Sequence, residues 1–190
     1  RHPAAVGSAR TFGPSDSRLL MRIRDIDPAS VDEVSIVAER MRLTLIEVEG
    51  LERGASMYTQ AWLEDRVRWH LDGNACTGRV LLAESSSGKL AGHSIVRLEP
   101  EGAGHFGLVS TTYIDPEFRN RGVASALLMY AENWFVERGV PYACTWTSST
   151  NLPLLALYER HGYAVSDAGP NDITGTLMLK LSKSLPKNEG

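Results

Sequence analysis

The segment from His105 to Thr147 dictates more of the fold than any other part of the chain. His105–Asp115 is an apolar, strand-like run, and an amphipathic helix begins at Gly122. In that helix Val123, Ala126, Leu127, Tyr130, Ala131 and Trp134 make one stripe, while Ser125, Glu132, Asn133 and Glu137 face away. Gly139 stops the helix, Pro141 follows two residues later, and Tyr142–Thr147 reads as a strand. A strand–helix–strand unit of this length predicts a right-handed crossover and a parallel strand pair.

The flanking segments place this unit in a sheet. Met21–Ile26 alternates like a first strand, and Asp27-Pro28-Ala29-Ser30 is a turn and helix cap. Val31, Val34, Ala38, Met41 and Leu45 then recur at helical spacing. Glu47–Gly54 reads as an acidic loop, with a second helix from about Ser56 to His70 that carries Tyr58, Trp62 and Trp69. From Arg79 the period changes. Arg79–Glu84, Lys89–Glu99 and His105–Asp115 are strands joined by tight turns, which predicts an antiparallel meander. After Thr147, Asn151 caps a short helix with Pro153 in its first turn, and Leu154, Leu155, Leu157 and Tyr158 follow. Tyr163–Ser166 and Ile173–Leu181 complete the strands. The predicted fold is α/β: a twisted, mostly antiparallel sheet with one parallel pair, flanked by helices.

At 190 residues, 43% hydrophobic and 23% charged, the chain reads as one globular domain. The expected limits are an N-terminal tail over 1–20, a domain over 21–182 and a frayed tail over 183–190, with Met21 read as a natural start. A net charge of -3 argues against a general nucleic-acid binder, and no apolar run has the length of a membrane span. Residues 1–20 lack the apolar core of a secretory signal. Cys76 and Cys144 are too isolated for a disulfide framework or metal cluster and read as small hydrophobes, which suits a reducing, cytoplasmic setting.

The turn before the long helix, Asp115–Ala124, holds Arg119, Arg121 and Gly122. A helix N-terminus leaves amide N–H groups without partners and carries partial positive charge. With two arginines and a glycine that admits close approach, the turn is a candidate phosphate or pyrophosphate cradle. A strand-to-helix turn with solvated arginines would carry the same residues.

Two motifs, in this order, resemble the GNAT family, the Gcn5-related N-acetyltransferases. The first is Arg/Gln-x-x-Gly-x-Gly/Ala, here Arg119-Asn120-Arg121-Gly122-Val123-Ala124. The second is Asn-x-x-Ala-x-x-Leu-Tyr with a short Gly-aromatic ending, here Asn151–Tyr158 and then Gly162-Tyr163. The resemblance runs from about residue 21 to 181. Leu154 stands where alanine is usual, and the strand before the first motif holds no Glu, where many members place a general base.

The resemblance implies acetyl-CoA as co-substrate, with its pyrophosphate on the amides of Arg119–Ala124. It implies a pantetheine arm along Thr112, Tyr113 and Ile114 in a splay between that strand and Tyr142–Thr147, and a role for Asn151 beside it. An amide N–H near Ile114 would support a developing oxyanion. Tyr158 would act as the acid for the departing thiolate, since a phenol of pKa about 10 stays protonated at neutral pH. The attacking amine must be neutral; His93, His105, Glu99, Glu47 and Glu49 are candidate bases, as is a water chain with no single base. The acidic stretch favours a small cationic amine acceptor. A peptide amine, or a non-catalytic acetyl-CoA sensor, are the alternatives, in a monomer or homodimer.

Overall fold

The computed structural model describes residues 21–190; the expected N-terminal tail lies outside them. The strands are β1 (Met21–Asp25), β2 (Thr77–Ser85), β3 (Leu90–Glu101), β4 (Gly104–Ile114), β5 (Tyr142–Ser148), β6 (Ala164–Pro170) and β7 (Leu177–Ser184). The helices are α1 (Val31–Glu49), α2 (Leu51–Met57), α3 (Gln60–Leu71), α4 (Val123–Glu137) and α5 (Leu152–Arg160). The strands form one sheet in the order β1-β2-β3-β4-β5-β7-β6. Among the described residues β4 and β5 are its one parallel pair, made by the α4 crossover.

Strand alternation sends side chains to two cores. Leu81, Ala83, Val96 and Val109 meet Leu127, Ala131 and Phe135 of α4 and Tyr158 of α5. Val80, Leu82 and Ile95 meet Val34, Val37 and Ala38 of α1 and Leu63 and Val67 of α3. Gly107 of β4 is required by this packing, since a Cβ there would lie 2.6 Å from the Phe135 ring.

Several boundaries differ from the sequence reading. The acidic segment is not a loop: α1 runs on through Glu47 and Glu49, only Gly50 interrupts it, and Glu52 lies in α2. The single helix expected over Ser56–His70 is two, because Tyr58 and Thr59 are extended and Thr59 caps α3 through its side chain. Gly54 allows the tight α1–α2 corner, where a Cβ would sit 2.5 Å from the Ile46 backbone. On α4 the buried stripe includes Leu128 and Phe135, while Tyr130 is 37% exposed. Glu132, expected to face solvent, is buried and paired with Lys183 at 2.6 Å. The last strand starts at Leu177 rather than Ile173 and runs to Ser184, and Leu185 joins the core, so order extends past the expected frayed end.

Candidate active site

The site lies where β4 and β5 part. They pair only over Gly107–Val109 with Ala143–Thr145. Beyond that, β4 continues to Ile114 beside β3, and β5 continues to Ser148 beside β7. A bulge contributes to this divergence: Ile95 faces Thr111 and Val96 faces Val109, so Ser110 is an extra residue in β4. Asp115 donates its N–H to the Ala91 carbonyl at 2.8 Å. By strand alternation the Tyr113 backbone also faces β3, whereas the Thr112 and Ile114 backbones face the gap. Of the three residues expected along the arm, Thr112 turns its backbone to the gap, and Ile114 turns only its N–H there unengaged, since its carbonyl accepts from Arg119. Tyr113 instead sends its ring to the α1 face, stacked on His93 and beneath the guanidinium groups of Arg40 and Arg119.

The turn after β4 is built for exposed amides. Asp115 caps a single 3-10 turn, Pro116–Phe118. Asn120 then adopts a left-handed φ of 60°, which asparagine tolerates better than most residues, and Gly122 follows at φ 81°. Gly122 is the N-cap of α4, and no side chain caps the helix, so its first-turn N–H groups have no intrahelical partner. No atom lies within 4 Å of where a Cβ would sit at Gly122. A pyrophosphate would meet open space, free amides and the positive end of a four-turn helix, so the residues fit this group.

These elements enclose a cleft of about 260 Å³. Thr112, Tyr113, Ile114, Arg119, Asn120, Gly122, Val123, Ala124 and Asn151 border it, and Arg121 and Tyr158 do not. Arg121 is exposed. Arg119 is not the free cation that the sequence suggested. Its Nε donates to the Ile114 carbonyl at 2.9 Å and its Nη2 to Glu47 at 2.8 Å, which ties the end of α1 to the end of β4. The cradle therefore relies on amides more than on Arg119. Asn151 caps α5, its side chain accepting from the Leu154 N–H at 3.4 Å. Thr44, Ser125, Leu157 and Arg160 also border the cleft and escaped the sequence reading, although Arg160 follows Asn151, Leu154 and Leu157 at regular three-residue steps along α5.

Tyr158 is 2% exposed and packs edge-on against Tyr163. Burial pushes its hydroxyl up to about 12, against the opposing interactions with the Thr145 and Thr112 side chains. Thr145 stands in the last paired position of β5 and Thr112 on β4 three residues past its own last paired position, so the phenol lies between the two strands, and it is protonated at neutral pH. Thr145 itself donates to the Val109 carbonyl at 2.7 Å, fixing the last rung before the strands part.

The five candidate bases separate clearly. His93 is fully buried, and burial pushes it down to about 3, so it is neutral. Glu99 is paired with Arg97, and His105 is exposed at the start of β4, away from the cleft lining. Glu49 is held by the Thr176 hydroxyl at 2.9 Å and by Arg53. Glu47 alone of the five borders the cleft.

A splayed parallel pair and an uncapped helix at its mouth leave room for a long ligand with a pyrophosphate, and the Tyr158 phenol is buried between the strands and α5. The family model for the acetyltransferase (GNAT) family matches residues 45–163, and the chain belongs to that family. It is thus an acyltransferase with acetyl-CoA as donor, in keeping with the fit just described. Nourseothricin acetyltransferase is similar at 24% identity, over 57% of this chain and 66% of that one, with a TM-score of 0.53. This match spans just under two thirds of that protein. The NatC complex bound to Gag peptide and CoA matches at 15% identity, covering 87% of this chain and 99% of that one, with a TM-score of 0.69. The yncA protein of Salmonella typhimurium, solved with its cofactor acetyl-CoA, matches at 15%, covering 90% and 96%, with a TM-score of 0.68. These likenesses concern the fold.

Proposed function

We propose that this enzyme transfers acetyl directly from acetyl-CoA to the amine of a small molecule, within the splay between β4 and β5. The observation that carries the reading is the parting of β4 and β5 past Val109 and Thr145, with the buried Tyr158 hydroxyl interacting with the Thr145 and Thr112 side chains of the two strands. Bound acetyl-CoA supplies an acetyl group activated as a thioester. The amides of Val123 and Ala124, with Gly122 making room, hold the pyrophosphate. The Thr112 and Ile114 backbones align the pantetheine arm, and the Ile114 N–H is a donor for a carbonyl oxygen that gains charge. The Tyr158 hydroxyl gives its proton to the departing sulfur. Proton acceptance from the amine falls to Glu47, the one candidate that borders the cleft.

A bridge across the sheet supports a small acceptor. Glu49 at the end of α1 accepts from Thr176 and Thr174, in the connection between β6 and β7. Since α1 packs on β4 and β7 pairs with β5, this contact spans the gap between the diverging strands. An arch there admits a compact amine more readily than an extended chain. Of the carboxylates that suggested a cationic acceptor, Glu47 and Glu49 are engaged with Arg119, Arg53 and the two threonines, and Glu52 is exposed outside the cleft lining, so the charge of the acceptor is not part of the proposal.

The test is release of free CoA thiol from acetyl-CoA across a panel of small amines and short peptides. Release with small amines, reduced at least tenfold in Tyr158→Phe with acetyl-CoA affinity retained, is expected. Release with peptides alone would overturn the acceptor class, and full turnover by Tyr158→Phe would remove that residue from its role.

A further inference from the structure

The α5 wall of the cleft changes chemistry along its length. Asn151, Leu154, Leu157 and Arg160 border the cleft in turn, so the wall passes from an amide through two apolar side chains to a guanidinium. The His161 ring approaches the Ser125 hydroxyl at 3.0 Å. That contact pins the end of α5 to the first turn of α4, and places Arg160 beside the cradle rather than beside the splay. Arg160 is exposed and has no ion pair among the described residues, in contrast to Arg119, whose charge is engaged by Glu47 at 2.8 Å. A cation in the last turn of a helix also suits the helix dipole. The dipole alone does not require the side chain to border the cleft.

CoA carries phosphate at two places, the pyrophosphate and a separate 3′-phosphate on its ribose. The amides at the start of α4 suit the first, and a guanidinium next to them suits the second, since arginine can grip phosphate oxygens with two parallel hydrogen bonds. We propose that Arg160 binds the 3′-phosphate and makes the enzyme distinguish CoA from 3′-dephospho-CoA. This rests on the donor-binding reading of the cleft.

Titration calorimetry of the full chain with CoA and with 3′-dephospho-CoA tests it. Wild type should bind CoA about tenfold more tightly, the loss expected for one charge-assisted contact at a solvent-facing site. In Arg160→Gln the two affinities should become equal, with the affinity for 3′-dephospho-CoA unchanged, and Arg160→Lys should restore part of the difference. Equal binding of the two nucleotides by wild type would overturn the proposal and leave donor binding intact. So would an undiminished ratio in Arg160→Gln, or equal weakening of both nucleotides by that substitution. Failure of wild type to bind either nucleotide would overturn the donor reading itself, and this proposal with it.

Discussion

Replacing Gly122 by valine separates the cradle from the rest of the fold. Gly122 has φ 81°, a conformation that strains a residue with a Cβ by about 1–2 kcal/mol. No atom lies within 4 Å of the added Cβ, so a clash within the protein adds nothing. For a chain of this size the strain lowers the melting temperature by about 2–8 °C, leaving a folded enzyme. The same Cβ occupies the space through which a pyrophosphate would reach the α4 amides. Losing one charge-assisted hydrogen bond, about 1.5–3 kcal/mol, weakens CoA binding by about 10- to 150-fold. Gly88 provides a matched control: it has φ 82°, also with no atom within 4 Å, in the β2–β3 turn away from the cleft. Gly88→Val should show the same thermal loss and bind CoA like wild type. The assay is calorimetric titration of CoA into both variants at a temperature where each is folded. Unchanged affinity in Gly122→Val, or equal weakening in Gly88→Val, would refute the cradle.

Three further outcomes follow from the same geometry. Burial pushes His93 down to about 3 and His70 down to about 4 from an ordinary 6.5, so below pH 6.5 the unfolded chain takes up protons that the folded one refuses. Stability is then full above pH 6.5 and falls with acidification, by about 2 kcal/mol per histidine at pH 5, and His93→Leu should remove about half of that slope in urea titrations. Gly107→Ala drives a Cβ to 2.6 Å from the Phe135 ring and should cost about 1–3 kcal/mol, read as a lower urea midpoint with unchanged slope. Glu47→Gln removes a carboxylate from the cleft and the partner of Arg119. It should tighten CoA binding by about two- to fivefold and lower turnover; unchanged turnover would exclude Glu47 as proton acceptor.

Periodicity made much of the frame legible. The meander, the crossover helix and the parallel pair follow from apolar spacing and turn residues, and these decide where the splay and the cradle lie. Local signals misled where tertiary contacts prevail. Glu47, Glu49 and Glu52 read as a solvated loop because carboxylates and glycines cluster there, yet Gly50 turns the chain with a positive φ, Gly54 allows a close corner, and the helices continue through the charge. Glu132 has a polar sequence signature but finds Lys183 from β7, a partner 51 residues away. In the candidate site, motif spacing picked out the turn before α4 and Asn151, which border the cleft. It could not show that Arg119 bends back to Ile114 and Glu47, that the Tyr113 ring turns to the opposite face, or that Arg160 joins the cleft, since each depends on packing between distant elements.

The central claim, that acetyl-CoA occupies this cleft, is tested most directly by the melting temperature of the wild-type chain with and without it. At a concentration a hundredfold above the dissociation constant, binding stabilises by about 2.7 kcal/mol, a rise of about 5–10 °C for a chain of this length. That concentration of acetyl-CoA should give the rise, and Gly122→Val should lose about half or more of it at the same concentration. A wild-type melting temperature unmoved by millimolar acetyl-CoA and by CoA alike would contradict the account.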